Sequence, residues 1–122
     1  MYAEADIALD PFPYTGGATS CDALWMGLPV VSLAGDFGFA RSAATVLVNA
    51  GLAQFVAEDE RQYLDIALRL AGAVPELADL RRGLRERLAR SPLLDAPRFV
   101  AALEQLYRAA WRGAAGAGEI PC

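Results

Sequence analysis

Histidine and lysine are both absent from the 122 residues; all 11 basic side chains are arginine. A Ser-His-Asp triad, a Cys-His pair, a His-bearing zinc site and a Schiff-base lysine therefore cannot be assembled from these residues. Cysteine is scarce too. The two present, Cys21 and Cys122, are too few for a disulfide framework and suit a reducing, cytoplasmic setting. No apolar run approaches the roughly 18 residues of a membrane span; the longest lie around 23–31 and 43–48. The first ten residues are acidic and lack the basic start of a secretory signal. With 15 acids against 11 bases, for a net charge of −4, nothing tracks a phosphate backbone, so neither nucleic acid nor a membrane is an expected partner. The one basic cluster, 81–90, alternates with Glu86 and leucines, as a solvated helix face does.

What is present is enough to fold. Apolar residues make up 55% of the chain, which rules out general disorder and fits one domain with a modest core. Abundant alanine and arginine without lysine fit a GC-rich bacterial gene.

The patterning alternates between strand and helix. Residues 6–10 are a short apolar run stopped by Pro11 and Pro13, as in a buried strand. A glycine turn follows, then a helix with its body at 21–26, capped by Thr19 or Ser20 and closed by Gly27. Residues 28–33 read as a second buried strand, with Pro29 near its start. A helix is expected over about 39–50 with Gly51 as its C-terminal cap, then a weaker strand at 53–56. From Asp59 onward the period is helical. Tyr63, Ile66, Ala67 and Leu70 share one face, and beyond a break at 72–75 so do Leu77, Leu80, Leu84 and Leu88. A third stripe holds Phe99, Val100, Leu103, Leu106, Tyr107, Ala110 and Trp111. The predicted organisation is one α/β unit over 1–112 with parallel strands, flanking helices and a helical C-terminal portion, then a disordered tail over 113–122. Three strands make half of a doubly wound domain.

The loop over 14–22 carries the chemistry. It follows the carboxyl end of a strand and opens a helix, where parallel sheets place their ligands. Gly16 and Gly17 allow a close backbone approach. Thr19 and Ser20 put hydroxyls beside free helix-start N–H groups, a ready anion site. Asp22, a turn further, suits ribose hydroxyls. The plainer alternative is a glycine-softened turn with an ordinary cap and Asp22 facing the helix dipole. The loop has neither Walker nor dinucleotide-fingerprint spacing.

The run Ala5-Asp6-Ile7-Ala8-Leu9-Asp10-Pro11-Phe12-Pro13-Tyr14, then Gly16-Gly17-Ala18-Thr19, then Cys21-Asp22-Ala23-Leu24-Trp25-Met26-Gly27-Leu28-Pro29-Val30-Val31, resembles the O-linked N-acetylglucosamine transferase family. The likeness is to its bacterial, Spindly-like members bearing tetratricopeptide repeats. It continues through Leu33-Ala34-Gly35-Asp36, Arg41, Ser91-Pro92-Leu93-Leu94-Asp95 and Arg98-Phe99, and ends near Trp111. The resemblance implies the C-terminal half of a Rossmann-like GT-B lobe that holds a UDP-sugar as substrate, without a metal. It assigns Gly16, Gly17, Ala18 and Thr19 to the diphosphate loop and Asp22 to the ribose. It also implies a protein acceptor, and an N-terminal lobe with tetratricopeptide repeats upstream of Met1, where the family has a basic donor-gripping segment. No catalytic residue can be assigned within the chain.

There are departures. Animal members carry His-Thr-Thr where Gly17, Ala18 and Thr19 stand here, so two side-chain contacts to phosphate are lost while backbone N–H contacts survive. Arg41 is the only arginine near the loop in sequence, and packing on its helix is its expected role. Trp25 is expected in the core. Phe12 and Tyr14 either line a base pocket or plug the sheet end. Cys21 stands where a helix start would lower a thiol pKa, but burial is the expected outcome. The last helix is expected to expose its apolar stripe. A rival reading makes the chain a non-enzymatic helical interaction module in which the loop is only a turn.

Overall fold

The computed structural model describes residues 2–116. Three strands, β1 (Ala8–Leu9), β2 (Val30–Leu33) and β3 (Val56–Ala57), form one sheet in the order β1-β2-β3. Both pairings are parallel, Ala8 opposite Val30 and Ser32 opposite Val56. Five helices accompany them: α1 (Ala18–Trp25), α2 (Ser42–Asn49), α3 (Glu60–Gly72), α4 (Val74–Ala89) and α5 (Ala96–Gly116). The α/β half-lobe read from the sequence is the fold observed.

Central β2 is buried on both faces, as its unbroken Val30-Val31-Ser32 run requires. The ladder extends past the short strands through Ala8 N–H to Pro29 O (2.8 Å) and Asp10 N–H to Val31 O (2.9 Å). Leu24, Leu47, Leu52 and Leu84 are at most 1% exposed, each contributing about 1.5–3 kcal/mol from burial. Helix α3 lies against β2 and β3, while α4 packs on α1 and α3. Gly27 and Gly51 end α1 and α2 with φ of 78° and 71°, the left-handed conformation that makes glycine the usual helix stop.

Four local expectations need correction. Helix α1 begins at Ala18 with Gly17 as N-cap, so Thr19 and Ser20 lie inside the first turn and neither caps it. The third strand is displaced: 53–55 form a 3₁₀ turn, and only Val56–Ala57 pair. Trp25 is 39% exposed. Helix α1 buries Ser20, Ala23 and Leu24, a narrow i, i+3, i+4 stripe that leaves Trp25 at its margin. The Arg85 guanidinium sits 4.9 Å above the indole and donates to the Trp25 carbonyl at 3.1 Å. Finally, α5 runs to Gly116, past the expected helix end at 112. The rest of the expected tail lies outside the described residues.

Helix α5 packs on the turn Pro92–Leu94. Its Phe99, Leu106, Tyr107 and Trp111 are between 64% and 67% exposed. An amphipathic stripe of that size in water favours association. The chain is expected to sediment above monomer mass, and a Leu106→Glu/Trp111→Glu double variant to return it to monomer. A wild-type monomer at every concentration tested would contradict this.

Candidate functional site

The site is built from the point where β1 leaves the sheet. Asp10 is only 5% exposed, and a buried carboxylate must be fully engaged to be tolerated. Its Oδ1 accepts the Gly16 N–H at 2.8 Å and its Oδ2 accepts the Ser32 hydroxyl at 2.7 Å. Its backbone carbonyl accepts the Tyr63 hydroxyl at 2.9 Å. Sequence reasoning treated Asp10 as a strand end and missed this role. The signal was an acid closing a buried strand just before a proline turn and two glycines.

Between these anchors the chain turns through the cis Phe12–Pro13 peptide. A second tie comes from Thr15, whose hydroxyl donates to the Phe39 carbonyl at 3.0 Å and accepts the Ala43 N–H at 3.4 Å. The loop after β1 is thereby joined to the start of α2. Tyr14 stacks on Phe39 (centroids 4.7 Å apart), and Phe39 stacks on Phe37 (5.6 Å). Phe12 and Tyr14 are both exposed, Phe12 with its ring edge-on to Tyr63.

Gly16 has no room for a side chain. A Cβ there would stand 2.5 Å from Ser20 Oγ and 2.6 Å from Thr19 Oγ1, whereas one on Gly17 would meet nothing within 4 Å. Gly17 brings no side chain to the helix start, and no side-chain bond caps it. The first helical bond runs from Cys21 N–H to Gly17 O at 3.1 Å. The N–H groups of Ala18, Thr19 and Ser20 accordingly have no acceptor among the described residues, and a positive helix end is left open. Ser20 is buried; Ala18, Thr19 and Asp22 are exposed, with Thr19 and Asp22 three residues apart on one helix face. The structure thus groups Gly16, Gly17, Ala18 and Thr19 at one loop–helix junction, with Asp22 a turn further on. Such a junction can hold an anion by its N–H groups and the Thr19 hydroxyl, and can offer a carboxylate to neutral hydroxyls.

Arg41 is exposed and donates to the Gly35 carbonyl at 2.8 Å, a tie across the loop before α2 where packing on its helix was expected. Burial, then the Asp22 charge, pushes the Cys21 thiol above its ordinary 9.0, so the helix start does not activate it. Burial and the Asp10 carboxylate likewise raise the Tyr63 phenol above 10.0, which keeps it a donor at neutral pH. Among the described residues, no group of three or more His, Cys, Asp or Glu is placed to hold a metal. A hollow of about 240 Å³ beside Thr19 is lined by Leu9, Pro11, Ala23 and Val30, among others. That is smaller than the roughly 300–1,000 Å³ of a complete ligand pocket.

A parallel α/β half-lobe with an open helix start after its first strand places the chain in the Rossmann-like class of architectures. The profile of glycosyl transferase family 41 matches residues 3–103, and the chain belongs to that family. It is 41% identical over 111 residues to the probable UDP-N-acetylglucosamine–peptide N-acetylglucosaminyltransferase SPINDLY of Petunia hybrida, covering 91% of this chain and 12% of the plant protein. It is 30% identical to the UDP-N-acetylglucosamine–peptide N-acetylglucosaminyltransferase of Caenorhabditis elegans, covering 88% of this chain and 9% of that one. A solved mutant of the Thermobaculum terrenum O-GlcNAc transferase superposes with a TM-score of 0.87 at 42% identity, over 97% of this chain and 23% of its own. The chain therefore corresponds to a small part of each of these relatives.

Proposed function

We propose that this chain is the donor-binding, C-terminal part of a UDP-sugar glycosyltransferase that modifies Ser or Thr of proteins, similar to the O-GlcNAc transferases. The observation that carries the reading is the open α1 start, held by Asp10, with Thr19 and Asp22 along one face. The family match supports it over a helical interaction module, since the matched residues include this junction.

On this reading the acceptor hydroxyl oxygen attacks the anomeric carbon on the face opposite the diphosphate, with inversion. The carbon–oxygen bond to UDP breaks and its electron pair stays on the β-phosphate. The N–H groups of Ala18, Thr19 and Ser20 and the Thr19 hydroxyl meet that charge, with no metal assigned. Asp22 accepts the ribose hydroxyls. The base that takes the acceptor's proton comes from outside this chain, as do the N-terminal lobe, the tetratricopeptide repeats and the surface that holds the protein acceptor. On this reading the protein works in the cytoplasm, the setting its two cysteines suit. No helix among the described residues is long and apolar enough to cross a membrane.

The test is an amide NMR titration of the isotope-labelled chain with UDP. Shifts are expected at 16–22, and Thr19→Ala and Asp22→Ala should each weaken binding about tenfold, the scale of a hydrogen bond to a charged group. Leu103→Ala on α5 should leave it unchanged. Equal affinity across all three variants would overturn the reading.

A further inference from the structure

Tyr63 stands on α3, 53 residues beyond Asp10 in sequence, and its place in the helical period explains only a core contact. In the structure it does two further things at opposite ends of one short turn. Its hydroxyl donates to the Asp10 carbonyl at 2.9 Å, where the chain leaves the sheet. Its ring meets Phe12 edge-on, with centroids 5.7 Å apart and planes at 82°. The support behind it is rigid. Helix α3 is capped by Asp59, which accepts the Gln62 N–H at 2.7 Å, and it packs on β2 and β3.

We infer that Tyr63 is a positioning residue for the loop between β1 and α1, and through it for donor binding, a step that rests on the reading above. The Asp10 carbonyl fixes where that residue's backbone stands, and the backbone fixes the carboxylate. The carboxylate holds the Gly16 N–H, and Gly16 directs the N–H groups that open at Ala18. Phe12, held at the other side of the turn, keeps the proline segment from swinging over the junction. Tyr63 meets this segment through the Asp10 carbonyl and the Phe12 ring, and its effect on the junction is inferred to pass through those two residues.

The experiment compares the wild-type 122-residue chain with Tyr63→Phe, which removes only the hydroxyl, and Tyr63→Leu, which removes the ring contact as well. Three quantities are read: UDP affinity by amide NMR, hydrogen exchange at the Gly16 amide, and the thermal midpoint. Tyr63→Phe is expected to weaken UDP binding about three- to tenfold, the range for one hydrogen bond. It should also speed Gly16 exchange while amides in α2 and α5 keep their shifts. Tyr63→Leu should lose more of both. Wild-type Gly16 exchange and UDP affinity in Tyr63→Phe would overturn the inference, as would an affinity loss that appears only with chain-wide loss of dispersion. A wild-type chain that ignores UDP, while Tyr63→Phe still speeds Gly16 exchange, fails the donor reading and leaves the loop brace standing. A chain showing neither response sinks both.

Discussion

Asp10→Ala is expected to cost about 2–4 kcal/mol of folding stability and to abolish UDP binding at the loop. The carboxylate is the acceptor for two donors at once, the Gly16 N–H and the buried Ser32 hydroxyl. Alanine leaves both without a partner; an unsatisfied buried donor such as the Ser32 hydroxyl costs about 1–3 kcal/mol, and the half-buried Gly16 N–H adds about 1 kcal/mol, the low end of that range. Against a total stability of about 5–15 kcal/mol for a small domain, that is a large fraction. Asp10→Asn should cost far less. Its amide oxygen still accepts from Gly16, and its amide nitrogen can donate to Ser32 Oγ if the hydroxyl turns round. Urea unfolding of the three chains checks this: alanine and asparagine variants that both keep the wild-type midpoint would mean the carboxylate pairing contributes little.

Gly16→Ala and Gly17→Ala should differ sharply although the two glycines are adjacent. At Gly16 the added carbon collides with Thr19 Oγ1, Ser20 Oγ and, at 3.0 Å, Asp10 Oδ1. Ser20 and Asp10 are buried, so neither can swing aside into solvent, and overpacking of this kind costs about 1–3 kcal/mol. The junction would open, and UDP affinity should fall with it by about tenfold or more, the scale set by a lost hydrogen bond to a charged group. At Gly17 the same carbon meets open space, and the backbone φ of −118° lies outside the left-handed region that favours glycine. Gly17→Ala should therefore fold as the wild type does, with an unchanged thermal midpoint. Paired thermal melts and UDP titrations distinguish the positions, and a tolerated Gly16→Ala would show that the hydroxyls move freely.

Much of this was legible in the sequence because it depends on short-range rules. The buried run ending at Leu33 and the helix stops at Gly27 and Gly51 each follow from a few neighbouring residues, and so does the exposed stripe on α5. The residues from Gly16 to Asp22 announced themselves as a loop that opens a helix. What the sequence hid depends on one crowded local junction and on residues far apart along the chain. The start of α1 was misplaced because Thr19 and Ser20 look like caps, yet the hydroxyls close over Gly16 and leave Gly17 at the cap position. Trp25 looked like core because it is large and mid-helix, but the buried face of α1 is narrow and Arg85, 60 residues away, takes the indole. Asp10 and Tyr63 were legible only as a strand end and a helix face; their partnership appears once α3 folds against the sheet.

The placement of the two tryptophans has an optical consequence. Trp25 ends the helix that carries the open N–H groups, and its ring is covered by the Arg85 cation. Trp111 stands in water on α5. One indole is thus held at the far end of α1 against Arg85 of α4 and the other stands on the exposed stripe of α5, so the chain carries intrinsic fluorophores in two different surroundings. A single-tryptophan version of either kind would report one of them without dye or label.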